Sequence, residues 1–331
     1  MIVGLRSKKT SGLFFRNMVG YLLKRIFILL LTLLLVSMVI FAVLMVIPGD
    51  PAQIILGIHA TPETLQTLRT HLGLDQPVIT RYAGYMKNAV TGDLGKSITY
   101  DVPINALIFS RLQVTVPLAL LAMIFGILLS IPLGIYSSLH RNRVGDYGIM
   151  VFSQIGLAVP AFWAGILLIL LFAVGLKWLP AGGFQPWKGD PIKAFISLLL
   201  PALSLGWVRA AVLTRMTRSS MLDVLGEDYI RTARSKGLPK RLVIYKHAFR
   251  NAIIPVITIV GLQASDLLAG AIIIENVFHL PGIGRLVFEA IGQRDLPVIQ
   301  GVVLFIAAVI IILNFLIDVT YRYLDPRIRY E

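Results

Sequence analysis

The sequence predicts an all-α integral membrane protein with six transmembrane helices, and three observations carry that class. Hydrophobic residues make up 56% of the 331 and charged residues only 15%, with a mean hydropathy of +0.80, outside the range of soluble globular chains. Six apolar runs are each long enough to cross a hydrocarbon core of about 30 Å, which takes about 20 helical residues. Lysine and arginine gather beside alternate runs, as in loops that stay on the cytoplasmic side. The formal net charge of +14 would point to nucleic acid in a soluble chain. Here the basic residues flank apolar segments, where membrane lipid and topology account for them. The aromatic and basic interleaving of a single-strand binder is missing, so no nucleic acid partner is expected.

Residues 1–25 are polar and basic, with Arg6, Lys8, Lys9, Arg16, Lys24 and Arg25, and are expected to form a cytoplasmic N-terminus. The first transmembrane helix, 26–47, is uncharged. It is too long for the apolar core of a signal peptide, and no small-residue cleavage pattern follows it. Pro48-Gly49-Asp50-Pro51 ends it, and residues 48–113 are expected to form an extracytoplasmic region. Within that region Thr61, Pro62 and Glu63 read as N-cap, N1 proline and acidic first turn. Leu65, Leu68 and Leu72 then give the stripe of a short surface helix ending at Gly73.

Five further helices are predicted at 114–139, 148–176, 194–216, 252–274 and 296–321. The second span leaves the membrane at His140, Arg141 and Arg143. The third carries Pro160 in mid-span; its ring clashes with the carbonyl of Gly156, so a kink is expected, with Ser153 and Gln154 one turn before it. Broken helices and freed carbonyls line many transport pathways, which makes these three residues candidates for one. Between Lys177 and Lys193 lies a short loop whose Trp178 and Trp187 suit a membrane interface. Arg209 falls toward the cytoplasmic end of the fourth span, where a long side chain can snorkel, so it is given no function. The loop 217–251 follows, on the cytoplasmic side. The fifth span contains Gln263, Ser265 and Asp266, and leads outside through Glu275 to Phe278 and Pro281-Gly282-Ile283-Gly284. The sixth ends in Asp318 and a cytoplasmic tail, 322–331. This assignment places about 19 Lys and Arg in the cytoplasm against about 10 in the longer outside segments, as the positive-inside rule requires.

No catalytic or metal site is predicted. Cysteine is absent, which excludes disulfides and thiolate chemistry. His59, His71, His140, His247 and His279 include no pair at metal-ligand spacing, and no Ser, His and Asp set is placed for nucleophilic catalysis. Gly92-Asp93-Leu94-Gly95-Lys96-Ser97 superficially matches a phosphate-binding loop. That motif needs a glycine where Val90 stands, and a buried strand before it. Gly282-Ile283-Gly284 follows an outside turn and opens no βαβ unit.

The stretch from Asp228 to Pro255 is the most informative. Tyr229, Ile230, Ala233 and Leu238 give one apolar side at helical spacing, while Arg231, Arg234 and Lys236 keep the other wet. Gly237 can adopt the left-handed conformation past a helix C-terminus, and Pro239 discourages continuation. A second helix from Lys240 leads through Asn251 toward the membrane. The expected object is a helix, turn and helix at the membrane surface, offering a rigid knob to the aqueous phase.

Arg231-Thr232-Ala233, then Gly237, then His247-Ala248-Phe249-Arg250-Asn251 resembles the EAA loop of ABC importer membrane subunits, in the form used by the dipeptide, oligopeptide and nickel family. Arg231 and Thr232 stand where the motif's name has Glu and Ala, a departure common in that subfamily. PGDPA, LGLDQP and GDLGKS in the region 48–113, followed by ENVFHLPGIGRL, RDLP and DPRI, are similar to the B-type subunit of the same family. The resemblance runs from Tyr21 to Arg329. It implies the type I importer permease fold over 114–321, with Tyr229, Arg231, Thr232, Ala233, Gly237, Leu238, His247, Arg250 and Asn251 meeting an ATPase. It further implies a second homologous permease, two ABC ATPase subunits that bind ATP and Mg, an extracytoplasmic substrate-binding protein, and a place in the bacterial or archaeal inner membrane with both termini cytoplasmic. This chain itself is expected to bind no cofactor.

A carboxylate near a helix centre costs about 2.5 to 3.5 kcal/mol on insertion scales, so Asp266 should face a cavity or a partner. It and Gln263 join Ser153, Gln154 and Pro160 as candidates for the translocation path, where Asp266 would favour a positively charged group such as a peptide amine. A structural hydrogen bond to a neighbouring helix accounts for it equally well. The alternative reading of the whole chain is an ATP-independent secondary transporter or channel. Such a protein would show repeated halves or several intramembrane ionisable residues forming an ion route, and neither is found.

Overall fold

The computed structural model describes residues 3–46, 51–56, 60–71 and 74–324. Among these the chain is helical apart from turns and one isolated bridge between Lys96 and Pro103. Helix α1 (Val3–Val46) is followed by three short helices, α2 (Pro51–Leu56), α3 (Pro62–His71) and α4 (Val78–Val90). Next come α5 (Ile104–Leu139), α6 (Val144–Ala158), α7 (Ala161–Leu168) running into a π-helical segment (Ile169–Gly175), and α8 (Pro191–Leu225). The chain closes with α9 (Asp228–Ser235), α10 (Lys240–Leu242), a second π-helical segment (Val243–Phe249), α11 (Arg250–Val277), α12 (Ile283–Gln293) and α13 (Leu296–Leu324). Five segments are long and apolar enough to cross a membrane: Leu23–Val46, Ile104–Leu139, Pro191–Leu225, Lys240–Val277 and Leu296–Thr320. The bent pair of α6 with α7 makes a sixth if it counts as one span.

Several predicted boundaries are corrected. The segment 1–25, predicted as a cytoplasmic N-terminus, is helical from Val3, and the apolar span within that helix is Leu23–Val46. The helix that holds the second span starts at Ile104, ten residues before 114. The fourth begins at Pro191. The Asp190 carboxylate caps it by accepting from the backbone N–H of Ile192 and Lys193, both at 3.1 Å, with proline at N1. It then continues to Leu225, well past 216, and the helix expected from Lys240 starts there and extends unbroken into the fifth span. Both extensions carry helix into the predicted loop 217–251. At Pro160 the expected kink is a break of 106°. Val159 is pushed to φ −89, ψ 121 and Pro160 to φ −59, ψ 140. The restriction a proline places on its predecessor thus outweighs the carbonyl clash, and two extended residues turn the chain. The Pro48-Gly49-Asp50 break, Leu72, Gly73 and the tail from 325 lie outside the described residues.

The described residues divide into two units, 106–289 and the remainder. In the first of these α8 is central, packed by α6, α7 and α11; 61% of its most apolar window is buried, against 33% for α5. Its core joins Leu118 and Ala122 of α5, Leu198 and Leu205 of α8, and Leu267, Ile274 and Phe278. Gly156 lets α6 approach closely, since a Cβ there would lie 2.6 Å from the Trp207 indole nitrogen. One buried carboxylate fastens the C-terminal end of α11. Glu275 accepts from the Thr115 hydroxyl at 2.5 Å and from the backbone N–H of Gly284 at 2.7 Å, while Thr115 accepts from the Ile283 N–H at 2.9 Å.

In the other unit α1 lies along α13, with an ion pair from Arg25 to Asp318. Ser37 bonds Tyr82 of α4 at 2.7 Å, and Phe41 packs on the Tyr82 and Tyr85 rings. At α3, Thr61 and Thr64 cap reciprocally through hydroxyl and backbone N–H, at 2.9 and 3.2 Å. The GDLGKS stretch finds its use here: the Ser97 hydroxyl donates to buried Asp295 at 2.5 Å, and Asp295 also accepts from the N–H of Thr99 and of Val298 near the start of α13.

Candidate functional site

The loop between α8 and α11 forms the expected knob. Ile230 and Ala233 are buried among Ile135, Met221, Val243, Ile244, Ala248 and Ala252, with Leu238 packed at the edge. Arg231, Thr232, Arg234 and Lys236 face solvent. Gly237 has φ +74; its N–H bonds Arg234 O at 2.9 Å and the Leu238 N–H reaches Ala233 O at 3.4 Å. This is the double hydrogen bond of a Schellman turn, which satisfies carbonyls that the helix end leaves open. Tyr229 departs from the predicted apolar side. It is 42% exposed, and its hydroxyl accepts from Asn251 Nδ2 at 2.8 Å. Asn251 also donates to the His247 carbonyl at 3.1 Å. Tyr229, His247 and Asn251 therefore join the two halves of the motif, while Arg250 stays exposed. A π-helical turn over Val243–Phe249 carries the chain into α11 without a break.

A brace sits just inside the loop. Asp146, 3% exposed in its side chain, takes two bonds of 2.7 Å from Arg218 of α8, accepts from the Asn142 N–H at 2.9 Å, and receives the Ser137 hydroxyl. It pins the turn between α5 and α6 to α8. Sequence reasoning missed it because its partners stand 72 residues apart.

Within the membrane helices, Asp266 and Gln263 share a face of α11. Arg209 of α8 bonds the Gln263 carbonyl oxygen and lies 3.8 Å from Asp266. The Arg209 side chain is 13% exposed and that of Asp266 70%. Arg209 is thus corrected from a snorkelling residue to the partner of the intramembrane carboxylate. Gly126 and Gly270 leave the room it needs, a Cβ at either lying 3.1 to 3.5 Å from its side chain. Of the other path candidates, Ser153 is buried against the bundle with no hydrogen-bond partner for its hydroxyl, whereas Gln154 and Pro160 are exposed. The structure brings Gln263 and Asp266 together but leaves Ser153 and Gln154 on α6 and Pro160 in the break after it.

The bundle of membrane-spanning helices, with the Arg209 and Asp266 pair on it and a basic helix and turn packed at one end, is that of a membrane transport protein, and the comparisons make it a permease of the ABC importer class. Residues 130–330 match the family described as binding-protein-dependent transport system inner membrane component, and residues 18–119 match its N-terminal region. The chain belongs to that family, as the permease subunit of an ABC importer in a multi-pass inner-membrane protein. It is 41% identical over 334 residues to the dipeptide transport system permease protein of Alkalihalophilus pseudofirmus, covering 95% of this chain and 100% of the relative. It is also 41% identical over 314 residues to the glutathione transport system permease protein of Escherichia coli K12, with the same coverages. The solved structure of an inward-facing methionine ABC transporter shares the fold, with a TM-score of 0.54 at 14% identity over 66% of this chain and 96% of that one.

Proposed function

We propose that this permease carries peptides or a related small solute, delivered by an extracytoplasmic substrate-binding protein. It does so beside a second homologous permease and two ATPase subunits that bind ATP and Mg, with both termini in the cytoplasm. The observation that carries the coupling role is the burial of Ile230 and Ala233 beneath an otherwise exposed, basic α9. An ATPase that pulls α9 cannot slide it over the surface, and must move the ends of α5, α8 and α11 with it. Packed cores shift between discrete arrangements rather than deforming continuously, so a local pull becomes a change in which side the path opens to. The dipeptide and glutathione relatives support the cargo class. Uptake of a labelled dipeptide, a longer peptide and nickel, in cells with and without this chain and before and after ATP depletion, tests this. ATP-dependent loss of peptide uptake on deletion is expected. Uptake that survives depletion and follows an ion gradient would restore the secondary-transporter reading.

In this reading Asp266 meets the cargo's ammonium group, and Arg209, 3.8 Å away, orients the carboxylate. A charge-assisted bond contributes about 1.5 to 3 kcal/mol. In the assembled transporter Asp266→Asn should therefore slow uptake of peptides with a free amine about tenfold or more, with a smaller effect on their N-acetylated forms. Unchanged rate and preference would remove Asp266 from the path.

A further inference from the structure

The unit 106–289 holds a cavity of about 500 Å³ between α6, α8 and α11. Its walls are apolar, including Met150 and Leu157 of α6, Met216 of α8 and Ile259 of α11, and two arginines stand on it, Arg215 and Arg218. They differ in one respect that decides their chemistry. Arg218 is committed, its guanidinium bonded twice to Asp146 at 2.7 Å. Arg215 is exposed and no described carboxylate pairs with it. A lone cation on a low-dielectric wall focuses its field into the cavity and draws in an anion, and guanidinium matches a carboxylate bidentately.

Ile259, on the cavity wall, shares a face of α11 with Gln263 and Asp266. Ile259, Gln263 and Asp266 follow one another at i, i+4 and i+7, so they lie on one face of α11. The rise from the first to the last is about 10 Å at 1.5 Å per residue. Polar groups of this kind turn away from lipid, and Ile259 puts the cavity on the same side of α11 as Gln263 and Asp266. A solute suited to both has an ammonium end for Asp266, an apolar body for the methionine, leucine and isoleucine walls, and an anionic end for Arg215.

We propose that this cavity is a station for the cargo at the loop end of the membrane helices, where Arg215 selects solutes that carry a carboxylate on an otherwise apolar body. The proposal deepens the peptide-importer reading and rests on it. It also separates the cargo from free metal cations and neutral sugars.

The chain has no cysteine, so Ser219→Cys, at the cavity wall, places a single thiol there. The measurement is the labelling rate of this chain, in the full transporter in inside-out vesicles, with anionic and cationic methanethiosulfonates of similar size. With Arg215 present, the ratio of anionic to cationic rate should exceed that of the Arg215→Gln background by about tenfold, the lower end of such focusing, and Arg215→Lys should retain most of it. A dipeptide should slow labelling, and its C-terminal amide should not. An equal ratio in the Arg215→Gln background, or equal protection by the amide, overturns the carboxylate site. An anion preference that persists while no peptide protects and none is taken up overturns the peptide reading instead.

Discussion

Ile230→Asp is expected to release α9 from the membrane helices and abolish coupled transport while leaving the chain inserted. Ile230 is fully buried in the cluster beneath the loop, and its burial stabilises the packed loop by about 1.5 to 3 kcal/mol. A carboxylate in its place loses that and adds a desolvation cost of several kcal/mol. The cost falls on an eight-residue helix that can open locally while the long spans stay folded. Copurification of the ATPase subunits and peptide uptake should both be lost, with normal amounts of the chain in the membrane. Gly237→Val probes the same device more gently. Its backbone sits at φ +74 with nothing within 4 Å of an added Cβ, so the cost is conformational only, about 1 to 2 kcal/mol. Gly237→Asn, which tolerates that region, should keep most of the activity. Normal coupled transport in Ile230→Asp would remove α9 from its assigned role.

The second large effect is expected at the opposite end of the same unit. Glu275→Ala leaves the Thr115 hydroxyl and the Gly284 N–H without their acceptor inside the protein, at about 1 to 3 kcal/mol for each orphaned donor. In detergent the purified transporter should melt about 10 °C lower, since about 1 kcal/mol corresponds to about 2 to 4 °C in a unit of this size. Glu275→Gln, which keeps one acceptor oxygen, should fall between the two. Gly282→Ala should fail similarly, because a Cβ there would overlap the Glu275 carboxylate. An alanine variant that melts like the parent would show that the turn from Phe278 to Ile283 is held by packing alone.

How much of this was legible in the sequence follows from the range of each interaction. The Gly237 turn could be read because every group it uses lies within six residues, from Ala233 to Leu238, and only glycine adopts that conformation cheaply. The buried side of α9 could be read from helical spacing. The Asp190-Pro191 start of α8 was equally local and carried a standard signal, an N-cap before an N1 proline. It was hidden only by counting the span from its first long apolar run. At Pro160 the right residue was singled out for the wrong local rule: the restriction on Val159 breaks the helix where the ring clash alone would bend it.

Class, approximate spans, the Gly237 turn and the family motifs were thus determined by the sequence alone, since composition, periodicity and backbone conformation act over a few residues. The tertiary structure decided which charged groups are partners. Arg209 and Arg218 fall in the sequence on either side of the predicted end of the fourth span; the structure puts both on α8 and sends one to Gln263 and Asp266 and the other to Asp146. It likewise turned Glu275 inward onto Thr115, and left Arg215 facing a cavity. In a low dielectric a charge is tolerated only where a partner or a polar space meets it, and that meeting depends on how helices far apart in the chain are packed.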